Sequence, residues 1–105
     1  MKNAYLILLL LPFSVFAADA DYKLVTKEHR FQPSELRIPA GKKIKLLIEN
    51  QDATSEEFES HPLNREKVIA GNSTATIYIG PLQTGSFPFF GEFNEATAQG
   101  VIVVK

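Results

Sequence analysis

The run EEFES places Glu57 and Glu59 one residue apart, and His61 follows two residues later. On an extended strand such i and i+2 side chains project from one face, about 7 Å apart along the chain, while Phe58 turns the other way. A third carboxylate, Glu92, follows Phe-Phe-Gly. It would be awkward to bury unpaired, and either a metal ion or the cations of Arg65 or Lys67 would serve as its partner. Glu57, Glu59, Glu92 and His61 together would make a carboxylate-rich metal site with one imidazole. Hard carboxylates suit iron and manganese, and an imidazole widens the range to copper and zinc. Carboxylates also stabilise Fe(III) over Fe(II), so a ferroxidase-like accessory activity is one chemistry open to such a site. Whether the protein is an enzyme is left open.

Structural readings stand beside the chemical ones. Glu56, Glu57 and Glu59 together are also what a solvated acidic edge looks like, the kind that discourages strand-to-strand association. His61 precedes Pro62 in an expected loop, and His29 lies between Glu28 and Arg30; each is also explained as an exposed, unliganded imidazole. Arg65 and Glu66 read as structural ion-pair formers. Phe87 and Phe89 alternate and belong in the core, whereas Phe90 and Phe93 flank Gly91-Glu92 as an apolar collar or a docking patch.

Composition excludes several classes of function. The chain contains no cysteine, which removes disulfides, thiolate catalysis and the blue-copper centre, whose ligand set requires a thiolate. No serine, histidine and acid fall at the spacing of a known nucleophile motif, so a hydrolase is not indicated. Of 11 Lys and Arg, ten remain once Lys2 is set aside with the leader, against 12 acidic residues. Nucleic acid and anionic membrane are therefore not expected partners.

The elements that must position these groups begin after residue 17. MKNAYLILLLLPFSVFA has a lysine, an apolar run from Ala4 to Phe16, and small residues with Val15 and Ala17 where a signal peptidase cuts. Residues 1–17 read as a signal peptide and 18–105 as one exported domain, free in a periplasm and not membrane-spanning after cleavage. Within that domain the hydrophobic pattern alternates at the strand period. Strands are expected at Tyr22–Thr26, Glu35–Ile38, Lys43–Glu49, Glu57–Glu59, Glu66–Ile69, Thr74–Ile79, Gly85–Phe90 and Gly100–Val104. Turn formers fall between them: Pro39-Ala40-Gly41, Asn50 to Asp52, Ala70-Gly71-Asn72, Gly80-Pro81 and the Asn94 to Ala98 loop. The pattern is all-β and fits a Greek-key sandwich.

FQPSELRIPAGKKIKLLIENQD and GSFPFFGEFNEATAQGVIVV resemble, in that order, the N-terminal half and closing hairpin of the cupredoxins. In that register Glu57 stands at the first histidine ligand, Gly91 at the cysteine, Asn94 at the second histidine and Gln99 at the methionine. The resemblance implies a cupredoxin-like sandwich in which all four blue-copper ligands are replaced, and it brings the loop carrying Glu92 beside the strand of Glu57. Asn94 and Gln99 are weak oxygen donors at most, and turn capping explains them equally. EEFES, LNREKVIAG, FPFFGEF and TAQGVIVV further resemble the small periplasmic cupredoxin-like proteins that accompany bacterial permease-type ferrous-iron uptake systems. That resemblance implies a metal-handling component of iron uptake, binding iron with or without copper and meeting an inner-membrane iron permease or another uptake component. A copper carrier using His61 and carboxylates, or a metal-free adaptor for protein contacts, are the alternatives.

Overall fold

The computed structural model describes residues 20–105; the signal segment lies outside the described residues. Nine strands follow in order: β1 (Tyr22–Lys27), β2 (Arg30–Gln32), β3 (Glu35–Ile38), β4 (Ile44–Asn50), β5 (Glu56–Ser60), β6 (Arg65–Ile69), β7 (Ser73–Ile79), β8 (Gly85–Gly91) and β9 (Gln99–Val104). A single 3₁₀ turn, Glu92–Asn94, is inserted between the last two. Every expected strand is present, with no end displaced by more than one residue. The short β2 was not anticipated, because three residues are too few to show a period.

Two sheets face each other. One has the order β2-β1-β4-β7 and the other β3-β9-β8-β5-β6. The chain crosses between them at Pro33-Ser34, after β2 and before β3. Alternation explains what fills the space. β4 reads IKLLIEN with Ile44, Leu46, Ile48 and Asn50 buried, and β9 buries Ile102 and Val104. At the centre the rings of Phe31, Phe58 and Phe89 meet, with centroids 5.1 Å apart for Phe31–Phe89 and 5.0 Å for Phe58–Phe89. Gly100 makes room for this cluster, since a Cβ there would lie 2.4 Å from Phe89 Cζ. Phe87 is only partly buried and packs on the margin of the core.

Two buried or tightly held polar groups fix where β5 starts. The Asn50 side chain donates to the carbonyls of Thr54 (2.8 Å) and Ile69 (3.1 Å), and its oxygen accepts from Asp52 N–H (3.0 Å). The end of β4 is thereby tied to the loop that enters β5 and to the end of β6. Asp52 in turn accepts from Glu28 N–H and His29 N–H, whose positive φ angles of 54° and 57° mark a tight β1–β2 turn. His29 sits in that turn, exposed, and takes no part in the carboxylate cluster described below.

Candidate metal centre

Period-two alternation on β5 assigns its residues to opposite faces. Glu56, Phe58 and Ser60 are buried, and Glu57 and Glu59 are half-buried on the outer side of the five-stranded sheet. β5 is not an edge strand, because β8 and β6 lie on either side of it. The acidic-edge reading is therefore corrected; the edge here is β6. The turn Glu92–Asn94 follows β8, so Glu92 is delivered to the side of β5. One oxygen from each of Glu57, Glu59 and Glu92 lies within 4.8 Å of the others. The three carboxylates thus converge, Glu57 and Glu59 from the outer face of β5 and Glu92 from the turn that follows β8.

Crowding has an electrostatic signature. The adjacent Glu92 carboxylate, which accepts a hydrogen bond through the proton that Glu57 retains, then partial burial and the nearby charges of Glu92, Glu66 and Glu59, push the Glu57 carboxyl up from 4.5 to about 7. Glu59 is also raised, first by burial and then by Glu66 and Glu92, with His61 acting weakly the other way. Like charges disfavour joint ionisation unless a cation or a proton intervenes.

Glu66 contributes to this crowding although the sequence marked it as an ion-pair former. The register pairs Glu59 with Glu66 across β5 and β6, so two like charges face each other. Arg65 does not neutralise Glu92: its guanidinium donates to the carbonyls of Tyr78 (2.9 Å) and Asn64 (3.1 Å). Among the described residues the salt bridges are Lys23–Glu49 and Arg37–Glu35, remote in sequence from the cluster.

His61 lies outside the group of three. Its ring rests against Phe90, with centroids 5.6 Å apart, and it lines a groove of about 440 Å³ with Glu59, Ser60, Asn64, Arg65 and Glu66. Phe90 is half-buried, and Phe93 is 52% exposed.

The residue that sequence reasoning misplaced is Glu56. It is only 1% exposed. One carboxylate oxygen accepts from the N–H of Glu57 (3.0 Å) and of Phe93 (2.9 Å), and the other from the Asn94 side-chain amide (2.8 Å). Alternation around Phe58 was the available signal, since an inward Phe58 requires an inward Glu56. Gly91 backs this carboxylate: a Cβ there would stand 2.6 Å from Glu56 Cδ and 2.7 Å from Ala98 Cβ.

These contacts decide the fit of a blue-copper centre. Gly91 offers no donor, and its side-chain space is filled by Glu56. Asn94 spends its amide on Glu56, and Gln99 donates to the Glu95 carbonyl (2.9 Å). With no cysteine in the chain, the residues present do not fit that group.

A two-sheet Greek-key sandwich with parallel pairings β1–β4 and β3–β9 defines the cupredoxin class of fold. The family profile of the cupredoxin-like domain matches residues 3–104, and the chain belongs to that family. An uncharacterised protein of Rickettsia prowazekii (strain Madrid E) is 43% identical over 85 residues, covering 81% of this chain and 68% of its own. Among solved structures, the blue copper protein auracyanin A from Chloroflexus aurantiacus superposes with a TM-score of 0.68 at 15% identity, over 79% of this chain and 96% of that one. Amicyanin from Paracoccus versutus gives 0.65 at 16% identity, over 84% and 83%. At these identities the likeness is one of fold. No helix among the described residues is long and apolar enough to cross a membrane.

Proposed function

We propose that this is an exported, periplasmic cupredoxin-like protein that binds a hard divalent cation through Glu57, Glu59 and Glu92, and that its cargo is iron in ferrous-iron uptake. The observation that carries the cation site is the approach of three carboxylate oxygens to within 4.8 Å without a lysine or arginine salt-bridged to any of them among the described residues. An all-oxygen donor set in a chain without thiolates favours iron or manganese over soft ions. The uptake context is supported by the segments EEFES, LNREKVIAG, FPFFGEF and TAQGVIVV, whose wording resembles the iron-permease-associated group, and an inner-membrane permease would be the recipient. Carboxylates would hold Fe(III) more tightly than Fe(II), so the site would suit delivery of Fe(II) or its one-electron oxidation by an external acceptor such as dioxygen.

A second reading, a copper carrier, is favoured by one observation. His61 borders the same groove as Glu59, and an imidazole added to carboxylates shifts preference toward copper.

Anaerobic calorimetric titration with Fe(II), Mn(II), Cu(II) and Zn(II), repeated on Glu57→Gln and His61→Ala, separates the readings. Fe(II) or Mn(II) binding lost in Glu57→Gln and kept in His61→Ala supports the iron site. Cu(II) binding lost in His61→Ala supports the carrier. A parent protein that binds none of the four ions would be a protein-contact adaptor.

A further inference from the structure

We infer that Glu56 is a positioning residue: its buried carboxylate ties the Glu92–Asn94 turn to β5 and so holds Glu92 against Glu57 before any ion binds. The inference rests on the cation-site reading for its functional meaning, and on hydrogen bonds and packing for its structural content. Glu56 is inaccessible to a ligand, so it does not bind cargo. Its oxygens accept from three donors on two elements: the N–H of Glu57 on β5, and the Phe93 N–H and Asn94 amide on the turn. Glu92, the first residue of that turn, is exposed, and none of the turn's three residues is buried. What fixes the turn fixes Glu92.

Further contacts support the tie. Gly91 leaves the space that Glu56 Cδ and the Ala98 methyl enter, since a Cβ would meet both at 2.6–2.7 Å. Gly91 N–H donates to Ala98 O (2.8 Å), and Ala98 N–H to Asn94 O (2.8 Å), so the loop closes on itself around the carboxylate. The sequence resemblance aligned Gly91 and Asn94 with two copper-ligand positions. In this chain both are committed to the Glu56 side chain, which orders the loop from within. Partners that orient ligands without touching the ion characteristically change affinity by about 10–100-fold when lost.

The test exploits the polarity of the Glu56–Asn94 contact. Asn94→Asp sets two carboxylates face to face. Adding Glu56→Gln restores a donor and an acceptor, because the new amide donates to the new carboxylate while the remaining oxygen still accepts from Glu57 and Phe93. Metal-free proteins are compared by crystallography and by exchange of the Phe93 amide hydrogen, and all variants are titrated with Fe(II) and Mn(II). In Asn94→Asp the Phe93 amide should exchange faster, Glu92 should leave Glu57 and affinity should fall about 10–100-fold; the double variant should recover all three. Should Asn94→Asp not fold, recovery of the fold and of the Glu57–Glu92 contact in the double variant supports the tie, and failure to recover overturns it. The inference is also overturned if Glu92 stays against Glu57 in Asn94→Asp, or if it leaves and affinity is unchanged. If the parent takes up neither ion, the cation-site reading fails separately, and the Phe93 exchange and the Glu57–Glu92 contact still decide whether Glu56 holds the turn.

Discussion

A carboxylate oxygen of Glu57 on β5 lies within 4.8 Å of one of Glu92 on the turn after β8, and this neighbour pushes the Glu57 carboxyl up to about 7. Two acids so placed need a proton or a cation between them. The pair therefore links pH, metal and stability.

Because Glu57 is raised in the folded state from 4.5 to about 7, the folded protein holds more protons than the unfolded chain between those values. Its contribution to stability is full below 4.5 and is lost as pH rises through 7. Glu59 is raised too and acts in the same direction. Asp52 is lowered, chiefly by the His29 N–H, and its contribution is lost in the opposite direction, on acidification below its ordinary value of 3.8. Metal-free protein should thus melt highest near pH 4–5 and progressively lower toward pH 7. Glu92→Gln should flatten the upper limb; an unchanged slope in that variant would show that the pair is not its source.

Cation binding should reverse that trend. Protons and metal compete for the same oxygens, so Fe(II) or Mn(II) affinity should increase from pH 5 to 7. Saturating ion at about 100 times its Kd should stabilise the domain by about 2.7 kcal/mol. Glu57→Gln or Glu92→Gln should weaken binding by at least about tenfold yet leave the metal-free domain as stable as the parent or more so. Calorimetry and thermal melting report both halves.

Copper-loaded protein should show none of the intense visible absorption of thiolate-to-copper charge transfer, since the chain holds no cysteine. An optical spectrum of the Cu(II)-saturated protein checks this directly.

Gly91→Ala should destabilise the domain by about 1–3 kcal/mol through overpacking, because the new methyl meets Glu56 Cδ and Ala98 Cβ well inside contact distance. The loss should appear as a lower urea midpoint. Faster exchange of the Phe93 amide should accompany it if Glu56 is the group displaced.

Phe58→Ala removes a ring that packs on both Phe31 and Phe89 and should cost about 3–5 kcal/mol. For a domain of this size that is a large share of total stability. Equilibrium urea unfolding measures it.

Local chemistry made much of this protein legible before any coordinates. Alternation in IKLLIEN and in QGVIVV dictated strands with one buried face, because side chains on an extended backbone point alternately to opposite sides. The absence of cysteine settled the exclusion of a blue-copper centre outright, and the spacing of Glu57 and Glu59 placed both on one face. What one dimension could not contain was partnership across strands. Glu66 faces Glu59 only because the β5–β6 turn sets that register; Glu92 meets Glu57 because β8 lies beside β5, a neighbourhood the sequence carried through its resemblance to the cupredoxins and not through its periodicity. Glu56 is the intermediate case: its inward direction was implied by Phe58, but a glutamate in a core is tolerable only with donors waiting, and those donors belong to Phe93 and Asn94, brought in by the closing loop. Periodicity is a property of the backbone and can be read along it. Which donor meets which acceptor is decided by tertiary packing, since the energy of a hydrogen bond depends on atoms that approach each other only when the two sheets have closed.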